Sequence, residues 1–337
     1  MQPQSQPSMK RSMRAMFLHI LATLLCLGLA VFALRYTTNF WGVSVVFSLQ
    51  LQAGLALIVL ALACVIIRPS SFTLFMLMMT LFIFFHAVWM MWQSLPPPIP
   101  DNLRSGNLAS MQKLRVLSFN VLGDNIKNST KIADFIEKTD ADIAYIMEAA
   151  PVALHLERLS KLYPYRIGCG EHTATCDLML LSKYPLDMIY VGNLSDLRKD
   201  RFAMARVHIA GTALQLAAAH LSKPYFDDYH AEELDILSQV LSTTNGPLLL
   251  AGDFNAATIA PDMQALLKHT GLTTTGWEPA TWPVRLGRFG IPIDHIYIRT
   301  PLMAQKLSRI PSNFGSNHYG LIADLMIAKS DSQPGSN

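Results

Sequence analysis

Charge is scarce in this chain. Asp, Glu, Lys and Arg make up only 15% of its 337 residues, and the net charge is +3. Proteins dedicated to nucleic-acid binding display an extended basic track, and no such track occurs here. Cysteine is scarce as well, with four in all. Cys26 and Cys64 lie within apolar runs, where a thiol packs as a small apolar group. Cys169 and Cys176 flank the polar loop 170–175. Together with His172 they supply three metal ligands and lack the fourth that a structural zinc needs. A disulfide is the expected state of that pair if it meets an oxidising compartment. Internal repeats are absent. No small-x-small cleavage pattern follows Leu34, which disfavours a cleaved signal peptide, and cleavage would leave the final topology unchanged.

Apolar residues are abundant, at 51% of the chain with a mean hydropathy of +0.28. The excess sits at the front. Ala15–Leu34, Val43–Ile67 and Phe72–Gln93 are each long enough to cross a bilayer core of roughly 30 Å. Gln50 and Gln52 should turn toward the other helices, and His86 should be packed and neutral. Lys10, Arg11 and Arg14 precede the first run and Arg68 sits in the short turn after the second, so these ends belong inside; Arg35 is one dissenting charge. Three crossings then place everything after Gln93 outside. Residues 1–94 read as a membrane anchor and 95–112 as a Pro-rich linker stiffened by Leu95-Pro-Pro-Pro-Ile-Pro-Asp101. A second domain occupies 113–328, and 329–337 is expected to be a disordered tail.

Within 113–328, strands are expected at 114–121, 142–148, 177–183, 187–193, 201–209, 213–221, 247–253, 293–299 and 320–327. A helix begins near Asn128 or Ser129 with Ile132, Phe135 and Ile136 on one face; others cover Ala231–Thr243 and Asp262–His269, the last stopped by Gly271. Polar residues recur where apolar runs end. Asn120 follows Leu114–Phe119, Glu148 follows Asp142–Met147, and His220 follows Leu214–Ala219. Gly252-Asp253-Phe254-Asn255 closes the run 247–251, Asp294 and His295 follow Gly290–Ile293, and His318 ends Gly315-Ser316-Asn317-His318. Strand ends that deliver carboxylates, amides and imidazoles to one side suit a site that handles a phosphate and a divalent metal together.

In this order the set resembles the endonuclease/exonuclease/phosphatase superfamily, which includes deoxyribonuclease I, neutral sphingomyelinases and inositol polyphosphate phosphatases. The stretch Thr281-Trp282-Pro283 through Ile293, behind three apolar runs, is similar to a membrane-anchored bacterial branch of that superfamily. The resemblance implies an α/β fold: a four-layer α/β sandwich of two packed, mainly antiparallel sheets flanked by helices, following three transmembrane helices. It further implies Mg²⁺ or Mn²⁺ as cofactor. Glu148 would be the principal metal ligand, with Asn120, Asp253 and Asn317 beside it. His318 would act as general base, oriented by Asp294; Asp253 would hold the water; and His220 would protonate the leaving group. Asn255 and Asn120 would contact phosphate oxygens, and Arg285 and Arg288, near Trp282, a substrate phosphate or headgroup. By strand alternation His295 faces the other way and is structural. Asn317 departs from the family's usual Ser-Asp-His, which should weaken metal binding or move the metal toward Glu148.

The resulting expectation is a metal-dependent phosphoric-ester hydrolase in a bacterial cytoplasmic membrane, with its N-terminus cytoplasmic and its catalytic domain periplasmic or extracellular. Its partners would be the bilayer and a phosphorylated lipid substrate in preference to nucleic acid, with no protein partner. The alternatives are an envelope-tethered nuclease and a catalytically inactive membrane module.

Overall fold

A computed structural model of the chain describes residues 9–38, 40–98 and 111–328. The expected linker lies mostly, and the expected tail wholly, outside these residues, as do the side chains of Lys10 and Arg11. The front of the chain forms α1 (Met9–Ala33), α2 (Ser44–Ser48), α3 (Gln50–Ile67) and α4 (Ser71–Gln93). Three helices are long and apolar enough to cross a membrane: Met13–Tyr36, Gln50–Ile67 and Ser71–Gln93. They pack on one another through Leu25, Phe32, Leu57 and Ala61. Facing outward and exposed are Phe17 and Leu24, Val59 and Ile66, and Met78 and Phe85, as a lipid-facing surface requires.

The second apolar run is not the single helix expected over 43–67. It breaks at Leu49, and α2 stands apart from α3. Tertiary packing causes the break, because α2 buries Phe47 and Ser48 and Ser48 Oγ accepts a hydrogen bond from Ala257 N at 3.0 Å. Gln50 turns inward as expected, donating to Ile83 O at 3.0 Å and accepting from Arg35. Gln52 does not; its amide donates to Gly290 O at 2.9 Å in the second domain. Arg35, the dissenting charge, donates to Ile259 O and lies over the Phe47 ring. His86 is wedged between Phe82 and Trp89.

The second domain continues as β1 (Met111–Asn120), α5 (Ser129–Thr139), β2 (Ile143–Met147), α6 (Ala150–Ala153), α7 (Leu156–Leu159), β3 (Tyr165–Ile167), β4 (Leu178–Ser182), β5 (Asp187–Gly192), β6 (Phe202–Ile209) and β7 (Thr212–His220). It ends with α8 (Tyr229–Ser242), β8 (Leu248–Asp253), α9 (Pro261–Thr270), β9 (Thr273–Thr274), β10 (Asp294–Arg299), β11 (Met303–Arg309) and β12 (Leu321–Ala328). The strands build two six-stranded sheets, ordered β11-β12-β1-β2-β4-β3 and β5-β6-β7-β8-β10-β9. Each is mixed and mainly antiparallel, with one parallel pair, β1–β2 in one and β7–β8 in the other.

Alternation along the strands makes the layers. In β8, Leu249 and Ala251 face the core between the sheets, while Leu248 and Leu250 face the helices. Leu234, Leu237 and Leu241 of α8 cover that outer face, and Ile132 and Ile136 of α5 cover the outer face of the other sheet. The result is helix, sheet, sheet, helix, the four-layer sandwich. Cys169 and Cys176 are joined in a disulfide, and Cys26 and Cys64 are unpaired.

The two parts of the chain meet closely. Ala87 and Met90 of α4 pack on Ala257 and Ile259, in the loop between β8 and α9. Ser94 O accepts from Thr274 N at 2.8 Å, and Ser94 Oγ from Gln264 at 3.0 Å.

Candidate active site

Strand register assembles the site. In the parallel pair β7–β8, His220 stands opposite Asp253, and in the antiparallel pair β8–β10, Asp294 stands opposite Asp253 on the other side. One edge of the sheet therefore presents His220, Asp253 and Asp294 in neighbouring strands. Gly252 permits this closeness, since a Cβ there would stand 1.8 Å from Ala219 O. The facing sheet contributes Asn120 at the end of β1 and Glu148 just after β2. Glu148 has φ of 53°, a left-handed conformation uncommon for this residue type and consistent with a functional turn.

Asp253 Oδ2 is the centre of the arrangement. It accepts from Asn120 Nδ2 at 2.9 Å and lies 3.8 Å from both His220 Nε2 and His318 Nε2. Its other oxygen accepts from Asn255 N at 2.9 Å. Asn120 Nδ2 also donates to Glu148 Oε1 at 3.1 Å, and Gly123 N donates to Glu148 Oε2 at 2.7 Å.

Each histidine has its own carboxylate behind it. His318 Nδ1 is 2.9 Å from Asp294 Oδ2, and Thr281 Oγ1 accepts from the Asp294 backbone. His220 Nδ1 is 2.5 Å from Asp177 Oδ1, and Arg201 holds the second oxygen of that carboxylate at 2.8 Å. Both rings thus turn Nε2 into the site. Burial alone would lower the His318 imidazole, but the charges of Asp294 and Asp253 outweigh it and push the ring up to about 9. Burial would raise Asp177, yet its bond to His220 and the Arg201 charge hold it down at about 2. The turn carrying His318 is clipped to β1, with Ser316 Oγ donating to Asn120 O at 2.7 Å.

The donor set fits a hard divalent cation. Glu148 and Asp253 supply carboxylate oxygens and no thiolate is near, whereas Asn120, expected beside them as a ligand, turns Nδ2 to both carboxylates and Oδ1 to Leu122 N, and so braces the pair. Among the described residues no lysine or arginine forms an ion pair with Glu148, Asp253 or Asp294, and Lys223 lines the cavities beside them. Asp294 Oδ1 is buried without a hydrogen-bond partner. Asp253, Asp294 and His318 also bring ligand atoms within 4.8 Å of one another, a second possible grouping. Asn317 is exposed at the rim of the cavity beside His318.

Two cavities share these residues. One of about 530 Å³ is lined by Glu148, His220 and Asn255 with Arg198 and Lys223. A smaller one, of about 60 Å³, lies on the anchor side of the same residues, and Val45 of α2 forms part of its wall.

The structure does not bring Arg285 and Arg288 to this place. They sit on the turn Val284–Phe289, which Arg309 draws away by donating to Ala280 O and Gly287 O. Arg288 lines a separate cavity with Gln52 and Gly290, at the joint with the anchor. His295 faces away from the site as expected, fully buried between Glu278 and Ala256 O.

Sequence reasoning passed over Asp177, Arg198, Lys223 and Val45. Asp177 carried a usable signal, a carboxylate opening an apolar strand, like the residues that were picked out. Lys223, three residues beyond His220, carried a weaker one. Val45, inside an apolar run, carried none.

A family model described as Endonuclease/Exonuclease/phosphatase family matches residues 117–318. Among solved structures, D. rerio TDP2 complexed with a single-strand DNA product is 17% identical, with a TM-score of 0.52, covering 64% of this chain and 99% of its own. An endonuclease/exonuclease/phosphatase from Bacteroides vulgatus is 14% identical, with a TM-score of 0.52, covering 64% and 98%. One from Beutenbergia cavernae is 17% identical, with a TM-score of 0.50, covering 64% and 72%. At such identities the likeness establishes the fold. No curated protein matches the chain.

Proposed function

Because the chain belongs to the endonuclease/exonuclease/phosphatase family, we propose that it is a divalent-metal-dependent phosphoric-ester hydrolase, anchored in a bacterial cytoplasmic membrane and acting on a phosphorylated lipid at the outer face. The observation that carries the reading is the pair of carboxylate-backed imidazoles on either side of Asp253, next to Glu148 and Asn120. Glu148 and Asp253, braced by Asn120, would hold a divalent cation, which would supply positive charge to offset both the phosphate and the carboxylates around His318.

The protein's own groups do the rest. His318, held at Nδ1 by Asp294, uses Nε2 to take a proton from the attacking water. His220, held by Asp177, gives a proton from Nε2 to the leaving oxygen as the P–O bond breaks. Asp253 lies between the two rings and orients the water, and the amide of Asn255 reaches a phosphate oxygen. Arg198 and Lys223, which make no ion pair among the described residues, face the larger cavity and suit the remaining anionic part of the substrate.

Placement rests on charge and redox chemistry. Lys10, Arg11, Arg14 and Arg68 favour the cytoplasm, and an odd number of crossings puts the domain outside. The Cys169–Cys176 disulfide agrees with an oxidising compartment. Tethering raises the effective concentration of lipid substrates at the site, and the sequence carries no extended basic track of the kind that binds duplex DNA. Asn317 is the feature that favours an inactive module instead.

Purified protein assayed on bis-p-nitrophenyl phosphate tests the class. Turnover should require Mg²⁺ or Mn²⁺, and Glu148→Ala and His318→Ala should each lower kcat by about 100-fold or more. Equal activity in both variants would contradict these roles, and inactivity with every divalent metal would favour the module.

A further inference from the structure

The smaller cavity joins apolar and polar residues. Its apolar wall is Val45, Tyr225, Trp282, Ile291 and Ile293, and the rest of its lining is polar, with His220, Asp253, His318 and Lys223. Four of these five belong to the catalytic domain; Val45 comes from α2, between the first two candidate spans. We propose that this wall receives the hydrocarbon side of a phosphate ester, so that the anchor itself forms part of the substrate site and Val45 is a specificity-determining residue. The inference deepens the hydrolase reading and rests on it.

Three observations support the assignment. First, α2 is fixed where it is: Phe47 is 2% exposed, and Ser48 accepts from Ala257 N in the loop that carries Asn255. Val45 is thus held by the same contacts that hold the catalytic loop. Second, the opposite mouth is of contrary character. The larger cavity adds Arg198, unpaired among the described residues, and Arg201, paired with Asp177, to the Lys223 that lines both cavities, and suits an anionic or polar headgroup. A phosphate at the shared residues Glu148, His220 and Asn255 would then have an apolar substituent toward the anchor and a polar one away from it. Third, the segment that leads into α2 exposes Tyr36, Phe40 and Trp41, and tyrosine and tryptophan settle at the lipid headgroup level. A hydrocarbon chain can stay in the bilayer while its phosphate enters past α2. A nucleotide sugar, being polar, would leave this wall without complementary contacts.

The test uses two probes with one leaving group: p-nitrophenyl dodecyl phosphate and p-nitrophenyl methyl phosphate. The full chain is assayed in detergent micelles held at constant composition. Wild type should favour the dodecyl ester in kcat/KM, and Val45→Asn should lower the dodecyl-to-methyl ratio by about 10-fold, the size expected for hydrocarbon contacts in a pocket, mostly through KM. Ile291→Asn, on the domain side of the wall, should shift the ratio the same way and guards against a misfolded α2 variant. An unchanged ratio in both folded variants, with Glu148→Ala still abolishing turnover, overturns the inference and leaves the hydrolase reading intact. Absence of turnover of both probes with every divalent metal overturns the hydrolase reading itself.

Discussion

Asp253 takes its importance from its neighbours, since it stands between two histidines that each lean on a second carboxylate. The His220–Asp177 pair gives a sharp expectation. Asp177→Asn removes the charge that fixes the ring and should lower kcat by about 10-fold to 100-fold with little change in KM, as steady-state kinetics on a soluble diester would show. A second expectation concerns His295, which the chemistry does not use. Both its nitrogens face acceptors, Glu278 Oε1 at 2.6 Å and Ala256 O at 2.8 Å, an arrangement only the imidazolium satisfies. Burial would lower this ring, but Glu278 outweighs burial and raises it. A raised folded-state pKa contributes stability that is fully present below the unfolded value of about 6.5 and lost as pH rises through the folded value. The melting temperature of wild type minus that of His295→Gln should therefore be largest in mild acid and shrink toward alkaline pH. A difference that grows with pH would contradict the assignment. Much at this scale was legible, because Asn120, Glu148, His220, Asp253, Asp294 and His318 each terminate an apolar run or a turn and the register then gathers them. Arg285 and Arg288 were read as near the phosphate because they are near Asp294 in sequence; the tertiary pull of Arg309 takes them elsewhere.

Elements set how tightly those residues are held. Gly252→Ala would force a Cβ onto the Ala219 carbonyl and separate β7 from β8 where His220 and Asp253 are paired. Destabilisation of about 3 kcal/mol or more is expected, read from chemical denaturation. At the joint with the anchor, Ser48→Ala would leave the buried Ala257 N–H without a partner, costing about 1–3 kcal/mol. Ser48→Thr should retain the bond, and hydrogen exchange at Ala257 should quicken in the first variant only. The long strands and the helices α5, α8 and α9 were visible as periodic apolar patterns. The strand β11 was not, being a half-exposed edge strand, and β3 and β9 are three and two residues long. The break at Leu49 was hidden too, because its cause is a hydrogen bond from residue 257.

At the scale of the whole molecule, the three apolar helices and the domain 111–328 share a packed joint. Arg35 shows why the positive-inside count had a dissenter: its guanidinium is engaged by Gln50 and the Ile259 carbonyl, so it contributes to the joint. If the domain faces outward, alkaline phosphatase fused after Gln112 should be active and a fluorescent protein fused there dark; the reverse pattern would reject the topology. The substrate class was the least legible part of the sequence, because the wall that speaks to it is assembled from residues 45, 225, 282, 291 and 293. The substrate proposed for this site is a lipid phosphate. The direct measurement is a parallel assay of the detergent-solubilised full chain, with Mg²⁺, on a polyprenyl pyrophosphate, a phospholipid mixture and supercoiled plasmid, beside Glu148→Ala. Release of phosphate or headgroup from a lipid, lost in the variant, with plasmid left intact, is the result predicted. Plasmid nicking that requires Glu148, without lipid turnover, would contradict it.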